Sequence, residues 1–198
     1  MLSDTQRAII IGNILGDGYL SRLTSGSTRL QLKQAERYKD YIMWSYKNLE
    51  NLCLSKPKQR KDNFQWYVNT RYLQEIGELH SLFYRNGKKS VPINIVKILN
   101  SPLSLAVWYM DDGSLDYRPK SHYNYAFSTN CFSVEDNQLL VETLQRNFGI
   151  KATIQTPLCR GVRYPELYVG VAGRDKFIKT VKPFILPCFK NKIPPFEL

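Results

Sequence analysis

The sequence predicts an α+β fold built from an αββαββα unit that occurs twice. Two apolar segments, IIGNILGDGYL and LAVWYMDDGSL, end in Asp-Gly, and an extended stretch follows each of them. The same order of helical and strand-like patterns then follows in each half, and each half closes on a segment rich in Lys and Pro. The two Asp-Gly aspartates lie 95 residues apart, so the repeat predicts one half at 1–99 and a second at 100–198.

Each apolar segment is predicted to be a helix with its own start and stop signals. Ser3 with Gln6 three positions later forms a capping-box pattern, and Ser101 precedes a proline suited to a first helical turn. Both helices are expected to stop at Asp-Gly. Gly18 and Gly113 can take the left-handed backbone conformation that closes a helix.

The remaining segments form matched pairs along the two halves. Alternation of apolar and polar residues predicts strands, and apolar residues spaced three or four apart predict amphipathic helices. The predicted pairs are strands at 27–34 and 123–130, helices at 37–52 and 133–149, strands at 63–70 and 166–173, and helices at 71–84 and 174–186.

The composition favours a polyanionic partner. Lys and Arg total 28 against 17 acidic residues, giving a net charge of +11, which favours nucleic acid over a membrane surface because no segment combines a basic helical face with a wide apolar one. The chain has no apolar run of about 18 residues and no secretory signal pattern, so we expect an intracellular protein without a membrane partner. The 4 cysteines form no C-x-x-C pair, which argues against structural zinc.

The two Asp-Gly motifs and the order of elements between them resemble the LAGLIDADG homing endonucleases, in particular the single-chain, two-motif, intron-encoded type. The resemblance covers essentially the whole chain. It implies a pseudo-twofold fold with two saddle-shaped antiparallel sheets over double-stranded DNA. It also implies that the two motif helices pack side by side. Gly12 and Gly16 in the first helix suit close contact, whereas Val107 and Asp111 occupy the matching positions of the second.

The resemblance also implies a metal site where the two helices end. Asp17 with the carbonyl of Gly16, and Asp112 with the carbonyl of Asp111, are hard oxygen ligands suited to two or more Mg²⁺ ions, with Mn²⁺ able to substitute. The Asp111 side chain is expected to face solvent.

Tyr109 to Asp112 also matches the Tyr-x-Asp-Asp box of a reverse transcriptase, but that box requires a strand-turn-strand hairpin where this sequence predicts a helix.

By the same resemblance, a lysine near the end of each half lies close to the cleavage centre. Lys89 and Lys192 are the first choices as catalytic residues that stabilise charge or polarise water, and Lys88 and Lys190 are the alternatives.

Polar faces of the predicted strands and basic loops are the candidate DNA-binding surface. Arg and Lys suit guanine, Gln suits adenine, and a two-stranded ribbon fits the major groove. Phe64, Trp66 and Val68 alternate with one such polar face and are expected to point toward the core. The candidate DNA-binding residues are Arg29, Gln31, Lys33, Lys56, Lys58, Arg60, Gln65, Tyr67, Asn69, Arg118, Lys120, Lys151, Thr153, Gln155, Arg160 and Arg163.

The family resemblance implies a monomeric endonuclease that makes a staggered double-strand break at a long target and promotes homing of its intron. Because the two halves differ in detail, the target is expected to be asymmetric. The alternatives are a maturase that binds intron RNA and a relative that binds DNA without cutting it. An organelle-encoded protein, mitochondrial or chloroplast, and a bacterial cytoplasmic protein are equally compatible with the sequence.

Overall fold

The computed structural model describes residues 1–119, 122–159 and 161–197. Its α-helices are α1 Asp4–Leu15, α2 Lys39–Leu49, α3 Gln74–Phe83, α4 Ile95–Ile98, α5 Pro102–Asp112, α6 Val134–Phe148 and α7 Arg174–Val181. Short 3-10 helices occupy Glu36–Tyr38, Glu50–Leu52, Lys182–Phe184, Pro187–Lys192 and Pro195–Glu197. No helix in these three ranges is long and apolar enough to cross a bilayer.

The strands form two four-stranded antiparallel sheets and two small hairpins. They are β1 Tyr19–Arg22, β2 Thr28–Gln34, β3 Lys58–Gln59, β4 Trp66–Asn69, β5 Tyr84–Arg85, β6 Lys88–Lys89, β7 Gly113–Arg118, β8 His122–Phe127, β9 Thr153–Gln155, β10 Leu158–Cys159, β11 Val162–Arg163 and β12 Glu166–Val169. The first sheet has the order β1-β2-β4-β3 and the second β7-β8-β12-β9. Each half therefore has the predicted αββαββα order, which confirms the duplicated α+β fold.

Helices α1 and α5 lie at the centre of the hydrophobic core. Ile9, Ile10 and Ile14 of α1 are at most 1% exposed, as are residues 105–110 of α5, so both helices are buried on nearly all sides. Helices α2 and α3 pack on the first sheet, and α6 and α7 pack on the second. Each central helix also contacts the first strand of the sheet in its own half.

The helix starts follow the sequence signals. The Ser3 side chain accepts a hydrogen bond from the backbone N–H of Gln6 at 3.2 Å, and the Gln6 side chain accepts one from the backbone N–H of Ser3 at 3.1 Å, which completes the capping box. Ser101 takes the N-cap position of α5, although its side chain makes no capping hydrogen bond.

The predicted left-handed closure of the two central helices is wrong. Gly113 has φ −78° and ψ 152° because β7 starts directly after α5, and Gly18 also lacks a positive φ. Glycine is required at both positions because there is no room for a side chain. A Cβ on Gly113 would lie 2.0 Å from the Tyr109 ring, and one on Gly18 would lie 2.7 Å from the Asn13 carbonyl oxygen.

The predicted inward position of Phe64 is also wrong. Phe64 has a φ of 57° in the turn before β4, and its side chain is 61% exposed, whereas Val68 is buried and Trp66 half-buried. The alternating pattern therefore starts only where the strand itself starts.

Helix α4, which precedes the predicted boundary between the two halves, contacts the second half. The side chain of Asn147 in α6 donates hydrogen bonds to the carbonyls of Val96 and Leu99, each at 2.7 Å. The segment before Asn100 thus packs against the second half, and the division between residues 99 and 100 remains a prediction.

Candidate active site

The two central helices contact each other through the glycines of α1. A Cβ on Gly12 would lie 2.6 Å from the Cβ of Val107, and one on Gly16 would lie 2.4 Å from the Cβ of Asp111. Each glycine thus makes room for a larger residue of α5. Because later residues of α1 face later residues of α5, the helices run in the same direction and end side by side.

This pairing places two aspartates at neighbouring helix ends. Asp17 follows the end of α1 and is exposed, whereas Asp112 is the last residue of α5 and is half-buried. The Asp112 carbonyl accepts a hydrogen bond from the backbone N–H of Ser128 at 3.0 Å, which fixes the start of the second sheet. Helix C-termini are the negative pole of the helix dipole, so cations are attracted to this position.

Asp111 belongs to this site through its side chain, which contradicts the expectation that it faces solvent. Its Oδ2 accepts a hydrogen bond from the backbone N–H of Asp17 at 3.3 Å. The amide of Gln34 donates to Asp17 Oδ2 at 3.0 Å and to Asp111 Oδ1 at 3.5 Å. Gln34 therefore links the two halves at the centre.

Each half supplies one lysine that binds carbonyls at the end of its own central helix. Lys89 Nζ donates to the Gly16 carbonyl at 2.6 Å. Lys192 Nζ donates to the carbonyls of Tyr109 at 3.2 Å and Asp111 at 3.3 Å, and also to that of Met110. The alternatives Lys88 and Lys190 are exposed and have no such contacts among the described residues.

The electrostatics of the site follow from burial. The pKa of Asp112 is raised to about 7, mainly by burial and secondly by the negative charge of Asp17. The positive charges of Lys89 and Lys192 oppose this shift. The same two causes raise the pKa of Asp111 well above its ordinary value. Burial lowers the pKa of both lysines, and the neighbouring carboxylates oppose this. Charge is therefore costly at this centre unless a cation balances it.

The donor set fits a hard divalent cation. Two carboxylates and the carbonyls of Gly16 and Asp111 are oxygen ligands of the kind that Mg²⁺ prefers. Both carbonyls already bind an ammonium group, and an oxygen with two lone pairs can accept a second partner. Within the described ranges no three His, Cys, Asp or Glu side chains form a metal-binding group, so water and substrate oxygens would have to complete the coordination.

Comparison with known proteins decides the family. A model of the LAGLIDADG DNA endonuclease family matches residues 7–165, which include both Asp-Gly motifs, the first sheet and every strand of the second sheet except β12. The chain belongs to this family. The LAGLIDADG fold also accounts for the two antiparallel sheets around a central helix pair.

Several curated proteins are similar to this chain over most of its length. The chain is 30% identical to "Protein RecA" of Mycobacterium gastri over 98% of this chain and 48% of that protein. It is 29% identical to the cytochrome b mRNA maturase bI2 of Saccharomyces cerevisiae over 94% of this chain and 46% of the maturase. It thus spans about half the length of these two relatives. A probable intron-encoded endonuclease 1 of Wickerhamomyces canadensis is 28% identical over 97% of this chain and 85% of that protein.

Solved structures show the same architecture. The homing endonuclease I-WcaI, bound to its DNA recognition sequence, matches with a TM-score of 0.86 and 27% identity over 98% of this chain and 88% of that one. I-DmoI in complex with DNA and Mn matches with a TM-score of 0.52 and 16% identity over 89% and 96%, which shows the shared fold alone.

The structure groups many of the predicted DNA-binding residues of the first half on one face of a sheet. A depression of about 320 Å³ is lined by Gln31, Lys33, Arg60, Tyr67 and Asn69. Further candidates surround it. Lys56 and Lys58 are exposed, Gln65 is half-buried, and the Arg29 guanidinium lies 5.0 Å from the centre of the Tyr72 ring.

The predicted residues of the second half are more dispersed. Thr153 and Gln155 are exposed on β9, and Lys151 is exposed just before it. Arg118 pairs with Asp116 at 3.6 Å, and Arg163 donates to the Thr156 carbonyl at 2.8 Å. Lys120 and Arg160 lie outside the described residues.

The sequence reasoning missed Gln34, yet the pattern contained a signal for it. Leu30, Leu32 and Gln34 share the inward face of β2, and both leucines are buried. A polar residue at the last inward position of a strand requires a partner, and the partners of Gln34 are Asp17 and Asp111.

Proposed function

We propose that this chain is a homing endonuclease that makes a staggered double-strand break at a long asymmetric DNA target. The observation that carries this proposal is the pair Asp17 and Asp112, one from each half, at the adjacent ends of two helices that run in the same direction. One carboxylate for each half suits a reaction that cuts both strands. The DNA-bound structure of I-WcaI and the intron-encoded relative support the same assignment.

We assign the metal ligands to the two helix ends. Asp17 with the Gly16 carbonyl would hold an ion in the first half, and Asp112 with the Asp111 carbonyl would hold one in the second. Bound Mg²⁺ or Mn²⁺ supplies Lewis-acid stabilisation of phosphate charge and lowers the pKa of water. The protein itself positions the carboxylates. Gln34 and the Asp17 backbone N–H fix the carboxylates of Asp17 and Asp111 relative to each other through three hydrogen bonds.

The lysines have separate roles in this proposal. Lys89 contacts a single carbonyl and is half-buried, so its ammonium is placed to approach a scissile phosphate and stabilise negative charge there. Lys192 is 8% exposed and donates to three carbonyls, so it positions the end of α5.

We assign DNA binding to the exposed faces of the two sheets. The net charge of +11 supports an interface rich in phosphate contacts, and neutral polar residues between the cations suit base edges. The two faces differ in their neutral polar residues, which are Gln31, Gln65, Tyr67 and Asn69 in the first half and Thr153 and Gln155 in the second. The two half-targets should therefore differ in sequence.

The decisive experiment is cleavage of the intron-less insertion site with Mg²⁺, with and without a chelator. Asp17→Asn and Asp112→Asn should each lower the rate of double-strand cleavage by at least about 100-fold. Asp4→Asn, at the opposite end of α1, is the matched control and should cut within about twofold of wild type, since it lies far from the chemistry. Wild-type cutting by both aspartate variants would refute the mechanism.

A second candidate function is intron RNA binding as a maturase. The similarity to the bI2 maturase over 94% of this chain favours it. It is tested by measuring binding to the intron RNA and cleavage of the DNA site in parallel. Tight RNA binding without DNA cleavage at any divalent metal concentration would replace the endonuclease assignment.

A further inference from the structure

The turn between β3 and β4 holds one arginine in a fixed orientation. Arg60 Nε donates to Asp62 Oδ1 at 2.9 Å and Nη2 donates to Asp62 Oδ2 at 2.7 Å, so the two groups form a bidentate pair. The Arg60 backbone N–H donates to the Gln65 carbonyl at 2.9 Å, which continues the ladder of the hairpin. The side chain is thereby restrained at both ends.

Hydrogen bonds within the turn fix its backbone conformation. The Asn63 side-chain oxygen accepts a hydrogen bond from the backbone N–H of Gln65 at 3.1 Å, and Gln59 donates to the Phe64 carbonyl at 3.1 Å. Phe64 takes the left-handed conformation, with φ 57°, that reverses the chain. Asp62 therefore stands at a defined place beside Arg60.

Arg60 lies at the edge of the depression on the proposed DNA-binding face. Lys58 pairs with Tyr67 across the hairpin, so Arg60, two residues later, lies on the same face as both. Besides Arg60, the depression is lined by one cation, Lys33, and by three neutral donors and acceptors suited to base edges, which are Gln31, Tyr67 and Asn69. The surroundings of Arg60 thus resemble a surface for base contacts more than a phosphate groove.

We propose that Arg60, oriented by Asp62, reads one guanine in the major groove of the DNA target. This inference rests on the proposed function and adds a specificity-determining residue and a positioning residue to it. The pair with Asp62 uses the Nε edge of the guanidinium. Within the described part of the chain Nη1 has no hydrogen-bond partner, and the free Nη edge matches guanine O6 and N7.

Charge distinguishes guanine from the alternative, a backbone phosphate. The Asp62 carboxylate neutralises the guanidinium and would repel a phosphate brought to the same place. A base edge carries no net charge, so it does not meet this repulsion. The bidentate pair also restricts the arginine before DNA arrives, which lowers the entropic cost of a contact that depends on direction.

The test uses the full chain and a target defined by selection from a randomised duplex library. That target is then remade with every single base-pair substitution, and binding is measured for wild type, Arg60→Ala, Arg60→Lys and Asp62→Asn. Wild type should discriminate about 10- to 100-fold for guanine at one position. Arg60→Ala and Arg60→Lys should lose the preference for guanine at that position only. Lysine keeps the positive charge but lacks the two parallel N–H donors of the guanidinium. Asp62→Asn should lose part of it.

Lys61→Ala is the matched control, since it removes one exposed cation from the same turn and should weaken binding about equally for all targets. If Arg60→Ala weakens binding equally for all targets, or changes nothing, the inference is refuted. A wild-type protein that selects no sequence would instead refute the proposed function, and the two failures are thus distinguishable.

Discussion

In the first half Asp17 lies outside its helix and is exposed, whereas in the second half Asp112 ends α5 and is half-buried. The lysines differ in the same direction. Lys89 contacts one carbonyl and Lys192 contacts three. A duplicated unit has therefore kept its chemical groups while their surroundings diverged. Asp17 is therefore open to solvent, whereas the end of α5 in the second half is held by more hydrogen bonds.

The strands beside the aspartates show the same divergence. Tyr19 pairs with Gln31 and Ser114 pairs with Ala126, so Gln34 at the end of β2 is equivalent to Thr129, two residues beyond the end of β8. Gln34 donates to the aspartates. The hydroxyl of Thr129 instead accepts from the Leu167 backbone N–H at 3.2 Å. The residue at this position thus binds the aspartates of the candidate site in the first half, whereas in the second half it binds the backbone of β12.

The largest expected difference concerns the two lysines. Lys192→Met removes the ammonium that binds three carbonyls, so we expect the free energy of unfolding to fall by about 2 to 3 kcal/mol. Lys89→Met removes one contact at a half-buried position and should cost less than about 1 kcal/mol. Urea unfolding of the two variants measures this difference. Equal losses would contradict the assignment of Lys192 as the positioning residue.

The next difference is in the pH dependence of stability. Because the pKa of Asp112 is raised to about 7, the folded metal-free protein holds this proton more tightly than the unfolded chain does. The contribution of Asp112 to the free energy of unfolding should therefore fall as the pH rises from about 4 to about 7 and change little above that. Asp112→Asn should weaken this decline, leaving the part that the raised pKa of Asp111 contributes, and should stabilise the protein above pH 7 by on the order of 2 kcal/mol.

Asp17→Asn is the comparison for that measurement, since Asp17 is exposed and its replacement should stabilise the protein less. Unfolding curves at several pH values, recorded with a chelator, give both values. A decline that persists unchanged in Asp112→Asn would show that another group causes it.

The smallest difference concerns Gln34 and Thr129. Gln34→Ala removes the amide that orients Asp17, so DNA cleavage should slow by about 3- to 10-fold with little change in stability. Thr129→Ala removes a buried hydrogen bond and should cost about 1 kcal/mol of stability, while cleavage stays within about twofold. Cleavage assays and thermal unfolding of both variants check this pair. The reverse assignment of effects would contradict the proposed role of Gln34.

The two Asp-Gly motifs and the order of helices and strands were enough to predict the fold and the positions of Asp17 and Asp112 at the helix ends. Both predictions depend on local sequence patterns that occur twice. The roles of Asp111 and Gln34 depend on how α1 and α5 approach each other, which the sequence does not specify. The family resemblance already favoured Lys192 over Lys190, but the three carbonyl contacts of Lys192 depend on the path of the chain after α7. Periodicity failed at Phe64 because the turn before β4 reverses the chain before strand alternation begins.

The most direct test of unequal halves is to measure the scission rate of each DNA strand separately, with a different end label on each strand. We expect Lys89→Met to slow one strand at least about 10-fold more than the other, because Lys89 serves only the first half. Lys192→Met, measured well below its unfolding temperature, should affect the strand rates less. Equal slowing of both strands by Lys89→Met would contradict the account of two unequal half-sites.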